Sequence, residues 1–420
     1  MSDGSTSHEP PRRSAGDAVT EWAFGAGWRI VKLLPERAAY RLFEAAADVL
    51  WRRRAGGIEQ FERNQARIHP DLTPAELAEL SRQGMRSYLR YWCDAFRLPT
   101  WSPEKVNTFW LERTELMDAE MAKGTGVIIV LNHGGNWDHA GAWACLRYGG
   151  LTTVAERLKP EGLYDKFVAY RESLGMEIVP LGDPDVMRTL ARRLKEGRLV
   201  PLLGDRDISR NGIEVELFGE TASLPAGAAV LAMLTGAALF PVTLWYTPES
   251  STGYIHDRIE VPADGDRSEK IQVMTQQIAD AFESGLREHS VDWHMMQPVW
   301  VADLDPVFDQ RGKDRRVGKS VKKACALDKT GRTEEARGGR VQRHDPPKPV
   351  QRVSSMSSAG ADASGAPQPS WSAHAARVSF STFSATASGS ALKRSVRRRL
   401  SEKDGSVSAS RFRLNSASIR

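Results

Sequence analysis

The chain has 420 residues, of which 41% are hydrophobic, and this composition excludes a protein that is disordered throughout. Its net charge of +5 conceals two regions of opposite charge: residues 311–420 carry 24 basic and 8 acidic residues, whereas residues 1–310 carry 34 basic and 45 acidic residues. The positive charge therefore belongs to the C-terminal region, which excludes a uniformly basic, nucleic-acid-binding core.

The three cysteines, Cys93, Cys145 and Cys325, are widely spaced and include no CxxC pair. This pattern argues against a disulfide framework and against a cysteine zinc site, and it favours a reducing compartment. Residues 1–22 are polar and lack the apolar segment of a secretory signal. We therefore expect the protein on the cytoplasmic side of the membrane.

The first elements predicted along the chain are helices, after a disordered lead over residues 1–16. Apolar residues recur at helical spacing from about residue 19 to residue 54, and Pro35 is expected to start the second of two helices in this segment. A further helix is predicted to begin at the cap Thr73. Another is predicted over residues 106–124, which end on a glycine.

Strands and helices then alternate. Short apolar segments such as GVIIVLN, RLVPLLGD and MEIVPLG are separated by helical patterns of about 10 to 15 residues. This alternation predicts an α/β fold with a mostly parallel central sheet flanked by helices on both faces. Residues 226–245 carry no charge over the length of a membrane-spanning helix, but Pro225, Gly236 and the β-rich end favour a buried helix followed by a strand.

Residues 306–420 are predicted to form a disordered, basic, Ser- and Ala-rich tail, because they cannot bury enough apolar surface to offset their ordering entropy. The folded domain is then expected over residues 17–305. Such a tail can bind any polyanion, so it predicts no specific nucleic acid. Two other interpretations of the tail stay open: it contacts anionic lipid, or it has no function. Truncation after residue 310 is expected to leave catalysis intact.

The segment VLNHGGNWDHAGAW, residues 130–143, carries a histidine and an aspartate five positions apart directly after a buried strand. If His133 lies in the turn before a helix, Asp138 in the first helical turn can hold it. A neutral imidazole can take a proton from a hydroxyl when a carboxylate fixes its tautomer. The pair therefore suits acyl transfer, although an isolated pair of this kind is more often structural.

Over roughly residues 20–305 the chain resembles the bacterial lysophospholipid-type acyltransferase family that includes lipid A late acyltransferases, and in particular its actinobacterial phosphatidylinositol mannoside acyltransferases. The resemblance rests on five blocks in one order: HGGNWD, TTVAERLKPEGLYDKFVAYRESLG, GDRDISRNGIEVELFGE, LPAGAAVLAMLTGAALFPV and DWHMMQPVWVADL. It implies an α/β core, a groove for the fatty chain of acyl-CoA and a mannosylated phosphatidylinositol acceptor at the membrane surface.

The resemblance also implies roles for individual residues. His133 is expected to be the general base that acts on a mannose hydroxyl, Asp138 the acidic member of the HxxxxD motif, and Asp205 a second acidic residue that assists the histidine. Acyl-CoA is a co-substrate and no cofactor is expected. Transfer is expected to be direct, since no GxSxG segment that would mark a serine nucleophile follows a core strand.

Five further residues are candidates for binding the polar head group and phosphate of the substrate. The resemblance places Glu156, Arg157 and Arg171 in the block that faces the head group. Arg206 and Arg210 are added because a guanidinium pairs well with anionic groups. For Arg171, an ordinary ion pair on its helix is the alternative interpretation.

The N-terminal helices mix tryptophan and arginine, a composition that suits a peripheral protein on an anionic membrane surface, although the same apolar stripe can simply cover the core. Three other functions stay open. One is acylation of a lipid A-type or other glycolipid. Another is a non-catalytic lipid-binding membrane adaptor. The third is a metal-dependent hydrolase that uses His133, Asp138, His139 and His294 as ligands.

Overall fold

A computed structural model of the protein describes residues 25–157, 161–208 and 211–304. The predictions for the lead over residues 1–16 and for the tail over residues 306–420 lie outside these ranges.

Four helices form the N-terminal part of the described chain. Pro35 separates the first two, as predicted, and Thr73 caps the fourth through a hydrogen bond from the backbone N–H of Glu76. The third helix was not predicted, because the side chains that it buries include three amides rather than an apolar stripe. The four are α1 over residues 25–33, α2 over Glu36–Arg52, α3 over Ile58–Ile68 and α4 over Pro74–Arg97.

The helix predicted over residues 106–124 is wrong in its first half. Trp110–Glu112 forms strand β1, which pairs in parallel with a strand over Ser251–Ile255, and helix α6 covers only Thr114–Ala122. Arg113 adopts a left-handed φ of 63° between them. Pairing with the sheet is a tertiary contact that overrides the local helical pattern. A short helix precedes this region, α5 over Pro103–Val106.

The central sheet of the described residues contains β1 and six further strands: β2 (Val127–Leu131), β3 (Leu151–Ala155), β4 (Met176–Pro180), β5 (Leu199–Leu203), β8 (Ala238–Tyr246) and β9 (Ser251–Ile255). A separate hairpin joins β6 (Ile213–Leu217) to β7 (Glu220–Leu224). The strand order of the sheet is β1-β9-β8-β2-β5-β3-β4. All neighbouring pairs are parallel except β8 and β9, so the predicted mostly parallel sheet is confirmed. The helices are α7 (Trp137–Tyr148), α8 (Glu161–Glu172), α9 (Val186–Lys195), α10 (Gly227–Thr235) and α11 (Arg267–His289).

Strand β2 is buried on both faces, and its alternate residues belong to two separate cores. Ile129 and Leu131 pack in one core with residues of α2, α4, α7 and α8. Ile128 and Val130 pack in the other with residues of α9, α10 and α11. Since successive side chains of a strand point to opposite faces, the two cores lie on opposite sides of the sheet. The predicted helices on both faces are confirmed.

The uncharged segment over residues 226–245 is a buried helix followed by a strand, as predicted. Helix α10 ends at Gly236, which has a φ of 72°, and β8 begins two residues later. None of the helices in the described ranges combines the length and the apolar composition that crossing a membrane requires.

Candidate active site

The turn between β2 and α7 requires glycine for steric reasons. Gly135 has a φ of 52°, and a Cβ atom on it would lie 2.8 Å from the backbone nitrogen of Trp245 in β8. The turn can therefore pass close to the neighbouring strand only without a side chain at this position. Asn136 then caps α7, because its side-chain oxygen accepts a hydrogen bond from the backbone N–H of His139 at 2.9 Å.

His133 lies in this turn and is bound to Asp205, which follows the neighbouring strand β5. The imidazole Nδ1 is 2.6 Å from one carboxylate oxygen of Asp205, and the backbone N–H of His133 donates to the other at 2.7 Å. The indole N–H of Trp293 donates to that second oxygen, also at 2.7 Å. The adjacent carboxyl ends of β2 and β5 thus bring together two residues that are 72 positions apart.

Asp205 is 2% exposed and is held as an anion. Burial opposes its ionisation, but the charge of His133 and the hydrogen bonds from His133 and Trp293 outweigh burial and keep the pKa of this carboxyl below its ordinary value. An ionised carboxylate only accepts hydrogen bonds, so Nδ1 of neutral His133 carries the proton. In that tautomer Nε2 carries the lone pair, and the His133 side chain is 23% exposed.

Asp138 does not hold His133, and this part of the sequence prediction is wrong. Its carboxylate is 1% exposed and accepts hydrogen bonds from the Tyr91 hydroxyl at 2.9 Å and from Nε of Arg171 at 2.8 Å. The reason is directional: Asp138 in the first turn of α7 faces α4 and α8, whereas His133 faces the end of β5. Arg171 is consequently an ion-pair partner of Asp138 rather than of a neighbour on its own helix.

The other head-group candidates that the structure describes lie after β3 and β5, at the same edge of the sheet as His133. Glu156 forms an ion pair with Arg206 at 3.2 Å. Arg157 is exposed, and its guanidinium lies 5.9 Å from the centre of the Tyr164 ring. Arg210 lies outside the described residues. Two guanidinium groups therefore stand at the edge of the sheet where His133 is located.

An apolar cavity of about 80 Å³ lies between α7 and the sheet. Asp138 and Arg171 are its charged lining residues, and the indole of Trp137 lines it as well. The Trp137 ring packs edge-on against His133, with 5.6 Å between ring centres. The apolar lining includes Phe109, Met117, Ile129, Leu131, Ala140, Trp143, Ala144, Leu151, Met176, Leu199, Leu203, Val242 and Leu244.

The remaining histidines of the metal-site hypothesis are hydrogen-bonded to separate protein groups. His139 is buried, and its two ring nitrogens lie 2.9 Å from the Ser251 hydroxyl and from the carbonyl of Val106. His294 bonds to the Ser87 hydroxyl at 2.9 Å. Burial lowers the pKa of His139 to about 4, and burial together with the charge of His133 lowers that of His294 to about 3. In the described part of the chain, no three acidic, histidine or cysteine side chains are grouped as metal ligands.

Sequence reasoning missed two residues that contact the predicted acids, Tyr91 and Trp293. Trp293 had a signal, since it lies within the DWHMMQPVW block. Tyr91 had none, because a tyrosine on an amphipathic helix is indistinguishable from a core residue in the sequence. Only the packing of α4 against α7 shows that its hydroxyl reaches Asp138.

Comparisons with known proteins identify the family of the chain. The family model described as bacterial lipid A biosynthesis acyltransferase matches residues 7–301. A phosphatidylinositol mannoside acyltransferase of Mycobacterium tuberculosis (strain CDC 1551 / Oshkosh) is 42% identical over 301 residues, which cover 70% of this chain and 92% of that protein. A protein of the same name from Mycolicibacterium smegmatis is 41% identical over 297 residues, covering 69% and 94%. The chain therefore belongs to the family of bacterial lipid A biosynthesis acyltransferases, and it is an acyltransferase.

Proposed function

We propose that the enzyme transfers a long, palmitoyl-like fatty acyl chain from acyl-CoA to a mannose hydroxyl of a phosphatidylinositol mannoside, with His133 as the general base. The observation that carries this proposal is the His133–Asp205 pair beside an apolar cavity. The acceptor follows from the activity named for the two mycobacterial relatives. The reaction takes place at the cytoplasmic surface of the membrane, to which the protein binds peripherally.

The chemical steps follow from the orientation of His133. Its Nε2 takes the proton of the mannose hydroxyl while the hydroxyl oxygen attacks the thioester carbonyl carbon. The carbon–sulfur bond then breaks, the acyl group stays on the sugar oxygen, and the CoA sulfur takes the proton from the imidazolium. Asp205 stabilises the imidazolium in between. No covalent acyl-enzyme forms.

The apolar cavity accommodates the fatty chain of the donor. It follows β5 from Leu203 to Leu199, which corresponds to a depth of about 13 Å at about 3.3 Å per strand residue. Burial of a hydrocarbon chain there is favourable by about 0.8 kcal/mol for each methylene. A chain in this cavity has its thioester at the mouth, next to His133.

Phosphate recognition is proposed for Arg157 and Arg206. Arg157 is exposed, and Arg206 pairs with Glu156 at the edge of the sheet where His133 lies. Guanidinium groups bind phosphates of CoA or of the inositol lipid through paired hydrogen bonds. Arg171 has a different part in the proposal: it neutralises Asp138 at the cavity wall.

Membrane contact is supported by the outer face of α1 and α2. Leu33 is 84% exposed and Ile30 is 56% exposed, which is unusual for large aliphatic side chains. Exposed arginines lie among them, and a helix face of this composition suits an anionic lipid surface. The exposed residues of this face include Arg29, Ile30, Leu33, Arg37, Arg41 and Leu42, and Glu44 is exposed beside them.

A second candidate acceptor is a lipid A-type or other glycolipid, since the matching family model carries that description. The catalytic steps are the same for any sugar hydroxyl. The two acceptors differ only in the head group that the site must recognise. A non-catalytic lipid-binding adaptor is the alternative that requires no base.

The test is thiol release from palmitoyl-CoA by the purified full-length protein, with a phosphatidylinositol mannoside, with a lipid A precursor, and with no acceptor. We expect release that depends on the mannoside, an acylated product detected by mass, and loss of both in His133→Ala. The matched control is His256→Ala, since His256 follows β9 and bonds to Thr243 away from the cavity. Release without acceptor, or full activity in His133→Ala, would contradict the proposal.

A further inference from the structure

The segment over residues 292–294 is hydrogen-bonded to the turn that carries His133. The backbone N–H of His294 donates to the carbonyl of His133 at 2.8 Å, and the N–H of Gly135 donates to the carbonyl of Asp292 at 2.9 Å. Gly134 and Trp293 thus face each other as an antiparallel bridge. This short pairing connects the turn to residues 292–294.

The side chain of Trp293, in the middle of that segment, reaches Asp205. It is 1% exposed, and its indole N–H lies 2.7 Å from the Asp205 oxygen that also accepts the backbone N–H of His133. Among the described residues, Trp293 is the one hydrogen-bond donor to Asp205 that does not belong to His133. The other carboxylate oxygen is left to the imidazole Nδ1.

Two donors on one oxygen fix the plane of the carboxylate. Without the indole, the donors that the structure describes on Asp205 both belong to His133, so the carboxylate and the imidazole can shift together. The indole supplies the second fixed point. Because Trp293 is buried and its backbone pairs with the turn, its indole N–H keeps a fixed position relative to His133.

From this geometry we propose that Trp293 is a positioning residue for the acyl transfer: its indole N–H fixes the Asp205 carboxylate and thereby the direction of the His133 Nε2 lone pair. The proposal rests on the function proposed above, in which His133 is the base. Trp293 itself is buried behind Asp205 and acts only through it.

The charge balance of the pair gives this proposal a pH signature. Among the residues that the structure describes, the titratable groups that contact or influence His133 are Asp205 and His294. With His133 neutral, the His133–Asp205 pair carries one negative charge, and after protonation of His133 it carries none. The indole N–H stabilises the negative state more strongly, so its removal favours protonation. The acid limb of the plot of kcat against pH then moves to higher pH.

The experiment compares Trp293→Phe with Trp300→Phe in the full-length protein, by measuring kcat, KM for palmitoyl-CoA and the acid limb. Trp300 is a matched control because it is also buried, lies 6.1 Å from Trp293 between ring centres, and donates its indole N–H to the carbonyl of Leu217. Should Trp293→Phe fail to fold, benzothienylalanine at position 293 removes only the N–H, since sulfur replaces it in a ring of nearly the same shape.

We expect Trp293→Phe to lower kcat by about tenfold to a hundredfold, with KM nearly unchanged and the acid limb at higher pH, while Trp300→Phe keeps the wild-type limb. A wild-type kcat and limb in Trp293→Phe or in the benzothienylalanine variant would overturn the inference. So would equal losses in the two phenylalanine variants without any shift of the limb. His133→Ala distinguishes failure of the inference about Trp293 from failure of the proposed function: if this variant stays active, the proposed function itself is wrong.

Discussion

Asn136 and Asp94 are hydrogen-bonded between α7 and α4, with the side-chain amide of Asn136 donating to the Asp94 carboxylate at 3.2 Å. The same Asn136 side chain caps α7 through its oxygen. The Tyr40 hydroxyl of α2 donates to the other oxygen of Asp94 at 2.5 Å. The N-terminal helices are thus connected to the helix cap that follows His133.

Asn136→Ala is expected to lower both stability and activity. Loss of a helix cap costs about 1 kcal/mol of unfolding free energy. Because this cap also sets the turn that holds His133, kcat should fall as well. The matched control is Thr73→Ala, which removes the cap of α4 and should reduce stability similarly with kcat unchanged. Urea unfolding and initial rates measure the two effects, and equal kcat values in both variants would contradict the prediction.

Asp205→Asn is expected to lower kcat by on the order of 10²–10⁴-fold. An amide can donate to Nδ1 of His133, which then loses its proton and leaves Nε2 without a free lone pair. Asp205→Glu keeps an ionised acceptor and should retain more activity. Thiol release from palmitoyl-CoA with the acceptor measures both variants. The order of activities, Glu above Asn, is the decisive result, and the reverse order would argue against the tautomer assignment.

The same carboxyl should make stability depend on pH. Its pKa in the folded protein lies below the ordinary value of 3.8, so its contribution to stability is fully present above 3.8. The contribution is lost as the pH falls through the lower pKa of the folded state. The difference in unfolding free energy between the wild type and Asp205→Asn should therefore shrink in that acidic window. A constant difference from neutral to acidic pH would show that the carboxyl is not ionised in the fold.

Removal of one partner from the Asp138–Arg171 pair should destabilise the protein strongly. Asp138 is 1% exposed and the Arg171 side chain is 18% exposed. Removal of either side chain would therefore leave the other as a buried, unpaired charge. Such losses amount to about 3–5 kcal/mol. Asp138→Asn and Arg171→Met are each expected to show them in urea unfolding. The double variant should lose less than the sum, and strict additivity would mean that the two charges do not interact.

Ala144→Phe should shorten the preferred acyl chain. Ala144 lines the cavity seven residues beyond Trp137 on α7, about 10 Å further along the helix axis. A phenyl ring there occupies the space of the terminal methylenes, so rates with palmitoyl-CoA should fall relative to lauroyl- and decanoyl-CoA. Leu146→Phe on the same helix is the control, because Leu146 is 53% exposed. An unchanged chain-length profile in Ala144→Phe would place the acyl chain elsewhere.

Local patterns in the sequence determined most of the fold. Each of these signals lies within a short segment of the chain: the apolar strands, the glycines that end α7 and α10, and the cap Thr73. The structure contains the elements that they predict. Helix α3 and strand β1 were the exceptions: α3 buries amides instead of an apolar stripe, and β1 depends on a distant contact. Three residues of a helix-like segment pair with β9, which lies more than 100 positions away, and no local pattern records that contact.

The candidate site divides in the same way. The sequence by itself placed His133 in a glycine turn after a buried strand and paired it with Asp138, and the resemblance added Asp205. Only the tertiary structure decided which acid holds the imidazole. Parallel pairing of β2 with β5 puts Asp205 beside His133, while the direction of α7 turns Asp138 toward Arg171. Hydrogen-bond partners depend on distances of a few ångströms between segments far apart in the chain, and residue spacing does not encode such distances.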